Sequence, residues 1–127
     1  MTLAYLCLLI AGLLPMVATA VAKKGFENYD NHNPRAWMSK QTGFRARAQA
    51  AEANSLEALP FFAASLLAAI QTGVSATTVN ALALVFVLAR AAYIYCYVTD
   101  RASLRSIVWS VGYICVIALG VLAIAAA

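Results

Sequence analysis

Charged residues are scarce in this sequence. Only 11% of its 127 residues are charged, five of them Asp or Glu, whereas 64% are hydrophobic and the mean hydropathy is +0.80. A soluble domain of this length could not bury so much apolar surface. The composition therefore argues against a soluble globular protein and indicates a membrane protein.

Residues for several kinds of chemistry are also few or widely separated. The three cysteines, Cys7, Cys96 and Cys115, lie in apolar segments without a C-x-x-C spacing, and His32 is the only histidine. The sequence contains no glycine-rich phosphate loop and no Ser/His/Asp set. We therefore expect no metal site, no disulfide and no hydrolase triad.

Long uncharged stretches predict the fold. Residues 1–22, 58–89 and 106–127 carry no charge, and a membrane-spanning helix needs roughly 20 apolar residues. The middle stretch is too long for one helix and breaks at the polar segment 71–78. We therefore predict an all-α membrane protein, a four-helix bundle forming one domain over residues 1–127. The helices are expected near 3–22, 46–70, 76–98 and 103–125, with a cytoplasmic loop at 23–45.

The basic residues predict the orientation of these helices. All nine lie around the first and third connections, and the second connection has none. The positive-inside rule places both basic loops in the cytoplasm and both termini in the periplasm of a bacterial inner membrane. The net charge of +4 then reflects topology and attraction to headgroups, and no nucleic-acid partner is expected.

The first apolar segment also has one feature of a secretory signal. It ends in the small-residue pattern Ala18, Thr19, Ala20, but no basic residue precedes the apolar run. Signal peptides begin with a basic segment. We therefore expect an uncleaved first helix.

Polar side chains inside the helices form two stripes. At 100° per residue, Arg47, Asn54 and Glu57 fall within about 80° on the second predicted helix. On the third predicted helix, Arg90, Tyr93 and Tyr97 fall within about 60°. Glu57 and Arg90 lie at similar depth, so an ion pair would remove most of the cost of burying each charge. The pair either locks two helices together or belongs to a polar pocket that opens to the cytoplasm.

The start of the fourth predicted helix adds two cations. Arg101 and Arg105 are four residues apart, which on a helix directs both guanidiniums the same way. Together with the tyrosine hydroxyls they would make a strongly cationic pocket suited to a small anionic ligand.

These motifs carry a resemblance to a known family. The run ANSLEALPFF contains an N-x-x-E-x-x-P box, and Arg90, Tyr93, Tyr97 and Arg105 follow the spacing R-x2-Y-x3-Y-x7-R. Over nearly its whole length the chain resembles the MAPEG family, the membrane-associated proteins in eicosanoid and glutathione metabolism, and within it the short bacterial branch. The resemblance implies a homotrimer that binds glutathione between protomers at the cytoplasmic end.

The resemblance also implies roles for individual residues. Arg105 would be the catalytic residue that stabilises the thiolate of glutathione, the cosubstrate, with Arg101 as the second choice. The residues expected at the glutathione site are Asn54, Glu57, Arg90, Tyr93, Tyr97, Arg101, Arg47 and Ser106. Eicosanoid-branch members usually have arginine where this chain has Ala50, and often glutamine or histidine where it has Glu52. Trp109 stands where some relatives have tyrosine.

The sequence leaves two function classes open and argues against a third. The first is a glutathione-dependent transferase or peroxidase that acts on a hydrophobic electrophile in the lipid bilayer. The second is a non-catalytic membrane protein that binds a lipid or small anion on the same scaffold. The third is a small multidrug-type exporter, which would have shorter loops than residues 23–44. Apolar, lipid-facing side chains carry little specificity, so the sequence does not name the hydrophobic substrate.

The predicted orientation can be tested with reporter fusions. A reporter fused after Ala127 is expected to read as periplasmic and one inserted near Asn31 as cytoplasmic, because the basic loops share one side. Alkaline phosphatase and fluorescent-protein activities measure the two locations. The opposite pair of readings would place the site residues outside the cytoplasm.

Overall fold

The computed structural model describes residues 1–127 and contains only helices. In chain order these are α1 (Thr2–Ala22), a 3-10 turn (Lys24–Phe26), α2 (Pro34–Ser39), α3 (Gly43–Gln71), α4 (Ala76–Val98) and α5 (Ala102–Ala126). By length and composition, α1, α3, α4 and α5 can each cross a membrane. The chain is therefore an all-α membrane protein built on a four-helix bundle, which confirms the predicted fold class.

Two features of the first connection differ from the prediction. Helix α3 begins at Gly43 rather than near residue 46, and the six-residue helix α2 lies inside the predicted loop. Helix α2 is too short to show a hydrophobic period, although Pro34 at its first position is a typical helix start. Its buried residues Trp37 and Met38 pack with Ala22 and Ala48, which ties the connection to the bundle.

The tight turn between α3 and α4 follows from three residues. Gly73 has a φ of +83°, which a residue without Cβ adopts at little cost. The N–H of Val74 donates to the carbonyl of Ala69 at 3.0 Å, closing the end of α3. The hydroxyl of Ser75 then accepts from the N–H of Thr78 and caps α4. The connection predicted from its glycine and polar residues is therefore a tight turn in which the C-terminal cap of α3 leads directly into the N-cap of α4.

Helices α3 and α4 are the central elements of the bundle, because each packs against the other three long helices. Small residues on one face of α1 let that helix approach closely, as is usual between helices in lipid. They recur every three or four positions: Ala4, Cys7, Ala11, Pro15, Ala18 and Ala22. In the middle of the bundle the ring of Phe62 stacks on that of Phe86, with centroids 3.9 Å apart.

The charged end of the bundle, as we call it, carries the first and third connections. It is formed by the C-terminal ends of α1 and α4 and the N-terminal ends of α3 and α5. The opposite end carries the short turn and both termini. The large apolar cluster around Phe62 and Leu66 extends to that opposite end through Ala4, Val79 and Ala123, and the polar side chains lie toward the charged end.

Two leucines test the packing. Leu66 is fully buried, whereas Leu88 is 60% exposed on the surface of α4. We expect Leu66→Ala to lower the free energy of unfolding by about 2–5 kcal/mol, because it leaves a cavity in a close-packed core. Leu88→Ala should cost less than about 1 kcal/mol, since surface substitutions usually have small effects. Unfolding curves in mixed detergent measure both, and equal losses would contradict the observed rotation of the helices.

Candidate functional site

Arg90 is the most deeply buried charged residue of the chain. Its side chain, on α4, is only 3% exposed, and its Nη2 donates to the hydroxyl of Ser55 on α3 at 3.2 Å. The guanidinium also lies over the ring of Tyr93, 4.2 Å from the centroid. A guanidinium has five N–H groups, and Ser55 is the only hydrogen-bond acceptor that the chain gives it. Arg90 is therefore a buried cation stabilised by one hydroxyl and one aromatic face.

A column of two aromatic rings between two cations leads from Arg90 toward the charged end. Tyr93 meets Tyr97 edge to face, with centroids 5.6 Å apart. Arg105, at the start of α5, lies over Tyr97 at 4.4 Å from the centroid. Cation–aromatic contacts of this kind contribute about 0.5–2 kcal/mol each, more where water is excluded. The contacts connect the buried cation to a second, half-buried one.

The outer cavity, with a volume of about 410 Å³, opens beside this column. It brings together side chains from α3, α4 and α5: Asn54, Tyr93, Tyr97, Arg105, Ser106, Trp109 and Ser110. Arg105 is its only cation, and no carboxylate lies within ion-pair distance of that guanidinium. A cationic cavity lined by hydroxyls and an amide suits an anionic ligand with several polar groups.

Asn54 contributes an unused acceptor to the outer cavity. Its Oδ1 is buried and has no hydrogen-bond partner in the chain. Buried polar atoms are nearly always hydrogen-bonded, and an unpaired one costs about 1–3 kcal/mol. A ligand that donates an N–H to Asn54 would remove this cost.

The inner cavity lies deeper, between α3, α4 and α5, and has a volume of about 70 Å³. Arg90 and Glu57 line it together with four aromatic rings, those of Phe61, Phe86, Trp109 and Tyr113. Trp109 also lines the outer cavity, so the two cavities share one wall.

The predicted ion pair between Glu57 and Arg90 is wrong within the chain. The single ion pair joins Arg45 to Glu27 at 3.9 Å, and Glu57 is exposed. Ser55 and Glu57 are two residues apart, so they point about 200° away from each other around α3. Arg90 contacts the buried face of α3 that carries Ser55, whereas Glu57 lines the inner cavity without an ion pair to Arg90.

Two arginines near the start of α3 cap neighbouring helices. Arg47 donates through Nε and Nη2 to the carbonyl of Val98, at 3.2 and 3.1 Å. Arg45 donates to the carbonyl of Ala22 at 2.8 Å. These carbonyls end α4 and α1, where the helix dipole favours a cation. Arg47, expected at the ligand site, therefore lies outside both cavities and binds a helix end.

Arg101 also lies outside the outer cavity. It is the N-cap residue of α5, with φ −100° and ψ 74°, so it is not part of the helix. The four-residue helical spacing from Arg105 therefore does not orient it. Its guanidinium instead lies over Tyr95, an exposed residue, at 6.0 Å. The expectation that both arginines point into one pocket does not hold, because the helix begins one residue after Arg101.

Two further cavities lie around the α1–α3 connection. The larger, about 490 Å³, is lined by residues between Glu27 and Gln41 and includes none of the predicted site residues. The other, about 380 Å³, is lined by Glu52 together with the cations Lys23 and Arg35. Glu52 therefore faces local positive charge rather than the outer cavity of its own chain.

Sequence reasoning did not place two lining residues. Trp109 was noted only as a departure from relatives, and Ser110 was not considered. Both follow predicted site residues by one helical turn, Trp109 after Arg105 and Ser110 after Ser106. That spacing, continued along α5, predicts both positions.

The contact between Ser55 and Arg90 can be measured by a double-mutant cycle. Ser55→Ala removes the one hydroxyl bonded to a buried cation, so we expect a loss of about 1.5–3 kcal/mol in the free energy of unfolding. Combined with Arg90→Gln, it should cost clearly less than the sum. Glu57→Gln is the comparison, and its coupling to Arg90→Gln should be clearly smaller than that of Ser55→Ala, because no ion pair joins the two side chains. Coupling of Glu57 rather than Ser55 to Arg90 would contradict the observed contacts.

The sequence was compared with known proteins, solved structures and protein families. No protein of curated function and no solved structure matches the chain. Residues 3–125, nearly the whole sequence, match the sequence model of the MAPEG family. With four membrane-spanning helices and this match, the chain belongs to the MAPEG family, the membrane proteins of eicosanoid and glutathione metabolism.

Proposed function

We propose that this protein is a glutathione-dependent transferase, with related peroxidase chemistry, that acts on a hydrophobic electrophile from the lipid bilayer. The observation that carries the proposal is the outer cavity. It gathers Asn54, Tyr93, Tyr97, Arg105 and Ser106 from three helices around one unpaired guanidinium. MAPEG membership supports the choice of glutathione as the thiol.

The donors and acceptors of the outer cavity fit a small peptide. Glutathione has two carboxylates, one ammonium group and two amide N–H groups. The unpaired Oδ1 of Asn54 would accept from an N–H of the peptide. The hydroxyls of Tyr93 and Tyr97 would donate to its oxygens, and Arg105 would face the sulfur. The hydroxyl of Ser106 donates to the carbonyl of Ala102 and would accept from an N–H of the peptide.

Arg105 supplies what the thiol lacks at neutral pH. A free thiol has a pKa of about 8.5, so holding it largely as thiolate at pH 7 requires a shift of about two units, or roughly 2.7 kcal/mol. One charge-assisted hydrogen bond contributes about 1.5–3 kcal/mol. The guanidinium of Arg105 lies half-buried over Tyr97 without a carboxylate partner, and it would provide this hydrogen bond.

The proposed assembly is a homotrimer with the site between protomers. Glu57 supports an assembly, because this exposed carboxylate lies in the middle of the membrane-spanning helix α3. A charge at the bilayer centre costs about 2.5–3.5 kcal/mol on insertion scales. A neighbouring copy covering this face would remove the carboxylate from lipid. The three-fold symmetry itself rests on the family.

The electrophile would reach the site from the bilayer. Trp109 and Tyr113 stack on each other with centroids 5.0 Å apart, and both are partly exposed on the outer face of α5. An apolar molecule dissolved in lipid can therefore contact the wall of the outer cavity without crossing water. In the orientation predicted from the basic loops, both termini are periplasmic, and the charged end with the proposed thiol site faces the cytoplasm.

The alternative is a non-catalytic protein that binds a lipid or small anion in the same cavity. The observation that favours it is Ala50 on α3, at the position where eicosanoid-branch members usually have an arginine. Arg45 and Arg47 do not compensate, because both bind helix ends. Glu52 adds little to this case, since it lines a separate cavity with Lys23 and Arg35.

Substitution of Arg105 separates the two functions. We expect wild type at millimolar glutathione to show thiolate absorbance near 240 nm and to conjugate 1-chloro-2,4-dinitrobenzene. Arg105→Ala should lose both by about 10- to 100-fold while keeping the fold, because one charge-assisted hydrogen bond is removed.

Lys24→Gln is the matched control, since it removes one exposed cation outside the cavities. It should leave absorbance and conjugation unchanged. The enzymatic proposal would be wrong if wild type shows neither signal, or if the Arg105→Ala variant keeps both. Either result would favour the binding protein. Loss with Arg101→Ala instead would move the role to that residue.

A further inference from the structure

The inner cavity contains a cation that the proposed thiol chemistry does not use. Arg90 lines the cavity with one hydrogen bond to Ser55 and no carboxylate in ion-pair contact. Leaving a guanidinium buried among aromatic rings is costly unless something compensates its charge. Such a cation stabilises negative charge that develops next to it, because water is excluded.

Apart from Glu57, the other residues that line the inner cavity are apolar or aromatic. Phe86 lies on α4, and Phe61 of α3 meets Tyr113 edge to face, with centroids 6.0 Å apart. Trp109 and Tyr113 stack almost parallel, at an interplanar angle of 10°. Aromatic faces arranged in this way favour a planar, apolar guest.

The volume limits what the cavity can hold. It measures about 70 Å³, whereas a cavity of about 150 Å³ accommodates benzene. The cavity therefore takes one end of a molecule, such as an oxygen-bearing group and the adjoining ring edge. The rest of that molecule would extend past Trp109, the wall that both cavities share.

We propose that the inner cavity binds the oxygen-acceptor end of the electrophile, and that Arg90 is a catalytic residue that stabilises the charge moved onto that oxygen. The substrate class is then a planar electrophile whose attacked carbon is conjugated to a nitro or carbonyl oxygen. This inference rests on the proposed function, because the attacking thiolate lies in the outer cavity at Arg105.

The step balances without another reactant. For a halonitroarene, the thiolate sulfur forms a bond to the ring carbon that bears the halogen, and an electron pair moves onto the nitro oxygens beside Arg90. The pair then returns to the ring, the carbon–halogen bond breaks and halide leaves. The thiol proton has already gone to solvent when the thiolate formed at Arg105.

Binding can be measured without glutathione. The chain has two tryptophans, so Trp37→Phe leaves Trp109 as the only one. In that background we expect 2,4-dinitrotoluene, an unreactive nitroarene, to quench Trp109 fluorescence with saturation. Arg90→Gln should raise the half-saturating concentration by about 10- to 100-fold, the value of one hydrogen bond to a charged group. Linear, unsaturable quenching that Arg90→Gln does not change would overturn the proposal.

Catalysis provides the second readout. Arg90→Gln should lower kcat/KM for 1-chloro-2,4-dinitrobenzene by about 10- to 100-fold. The same variant should change kcat/KM for benzyl chloride, which has no oxygen acceptor, by less than threefold. Arg90→Lys should recover part of the first loss, and Lys24→Gln should change neither substrate. Equal losses for both substrates would mean that Arg90 only supports the fold, and would overturn its catalytic role.

A second variant covers the case in which Arg90→Gln does not fold. Ala58 lines the inner cavity, so Ala58→Leu fills it without removing a charge. It should abolish saturable quenching and the dinitroarene reaction while keeping thiolate absorbance at Arg105. Unchanged quenching in this variant would contradict the site. If wild type forms no thiolate at all, the proposed function fails, and the quenching experiment alone decides whether the inner cavity binds an oxygen acceptor.

Discussion

A guanidinium buried between membrane-spanning helices determines which side chains can lie around it. Arg90 is 3% exposed and has one hydroxyl, that of Ser55, and one aromatic face, that of Tyr93, as its immediate partners. The interior of a bundle in lipid offers no water to solvate such a charge. Polar and aromatic groups must therefore cluster near it, and the polar stripe of α4 continues from Arg90 through Tyr93 and Tyr97 to the charged end. The arrangement that stabilises a buried cation also builds a polar route into the bundle.

This constraint divides the arginines into separate tasks. Arg45 and Arg47 bind the last carbonyls of α1 and α4 and hold the helix ends together. Arg90 lies in the inner cavity and Arg105 in the outer one, with two tyrosine rings between them. One cation is near the surface, where a charged peptide can enter. The other is among aromatic rings, where an apolar molecule from the bilayer can enter. In the proposed reaction, the polar peptide and the apolar electrophile would therefore meet at Trp109, which lines both cavities.

Hydropathy was sufficient to predict the four long helices. An apolar stretch of about 20 residues that crosses a membrane as a helix makes all of its backbone hydrogen bonds within itself. The helical period also predicted that Tyr93 and Tyr97 share a face, and the structure brings both to one cavity with Asn54 and Arg105. Period alone cannot tell which face of a helix turns toward a given neighbour. The rotation of α3 turns Ser55 rather than Glu57 toward Arg90, and the depth argument for an ion pair missed this.

Helix ends were a second limit. Arg101 and Arg105 have a helical spacing in the sequence, but α5 begins at Ala102, so only Arg105 has its side chain oriented by the helix. The predicted helix, from near residue 103, already left Arg101 outside, so the four-residue spacing was applied to a residue that the helix does not orient. Helix α2 was not predicted, because its six residues are too few to show a helical period of hydrophobic residues.

The central claim is that the outer cavity holds glutathione as a thiolate beside Arg105. Proton release on binding tests it most directly, with the protein in lipid nanodiscs at pH 7 and weak buffer. In water at this pH the thiol is almost fully protonated, so the account predicts release of about one proton for each glutathione bound. S-methyl glutathione, which has no thiol proton, should release none. Saturable binding of glutathione without proton release, or no saturable binding at millimolar concentration, would contradict the account.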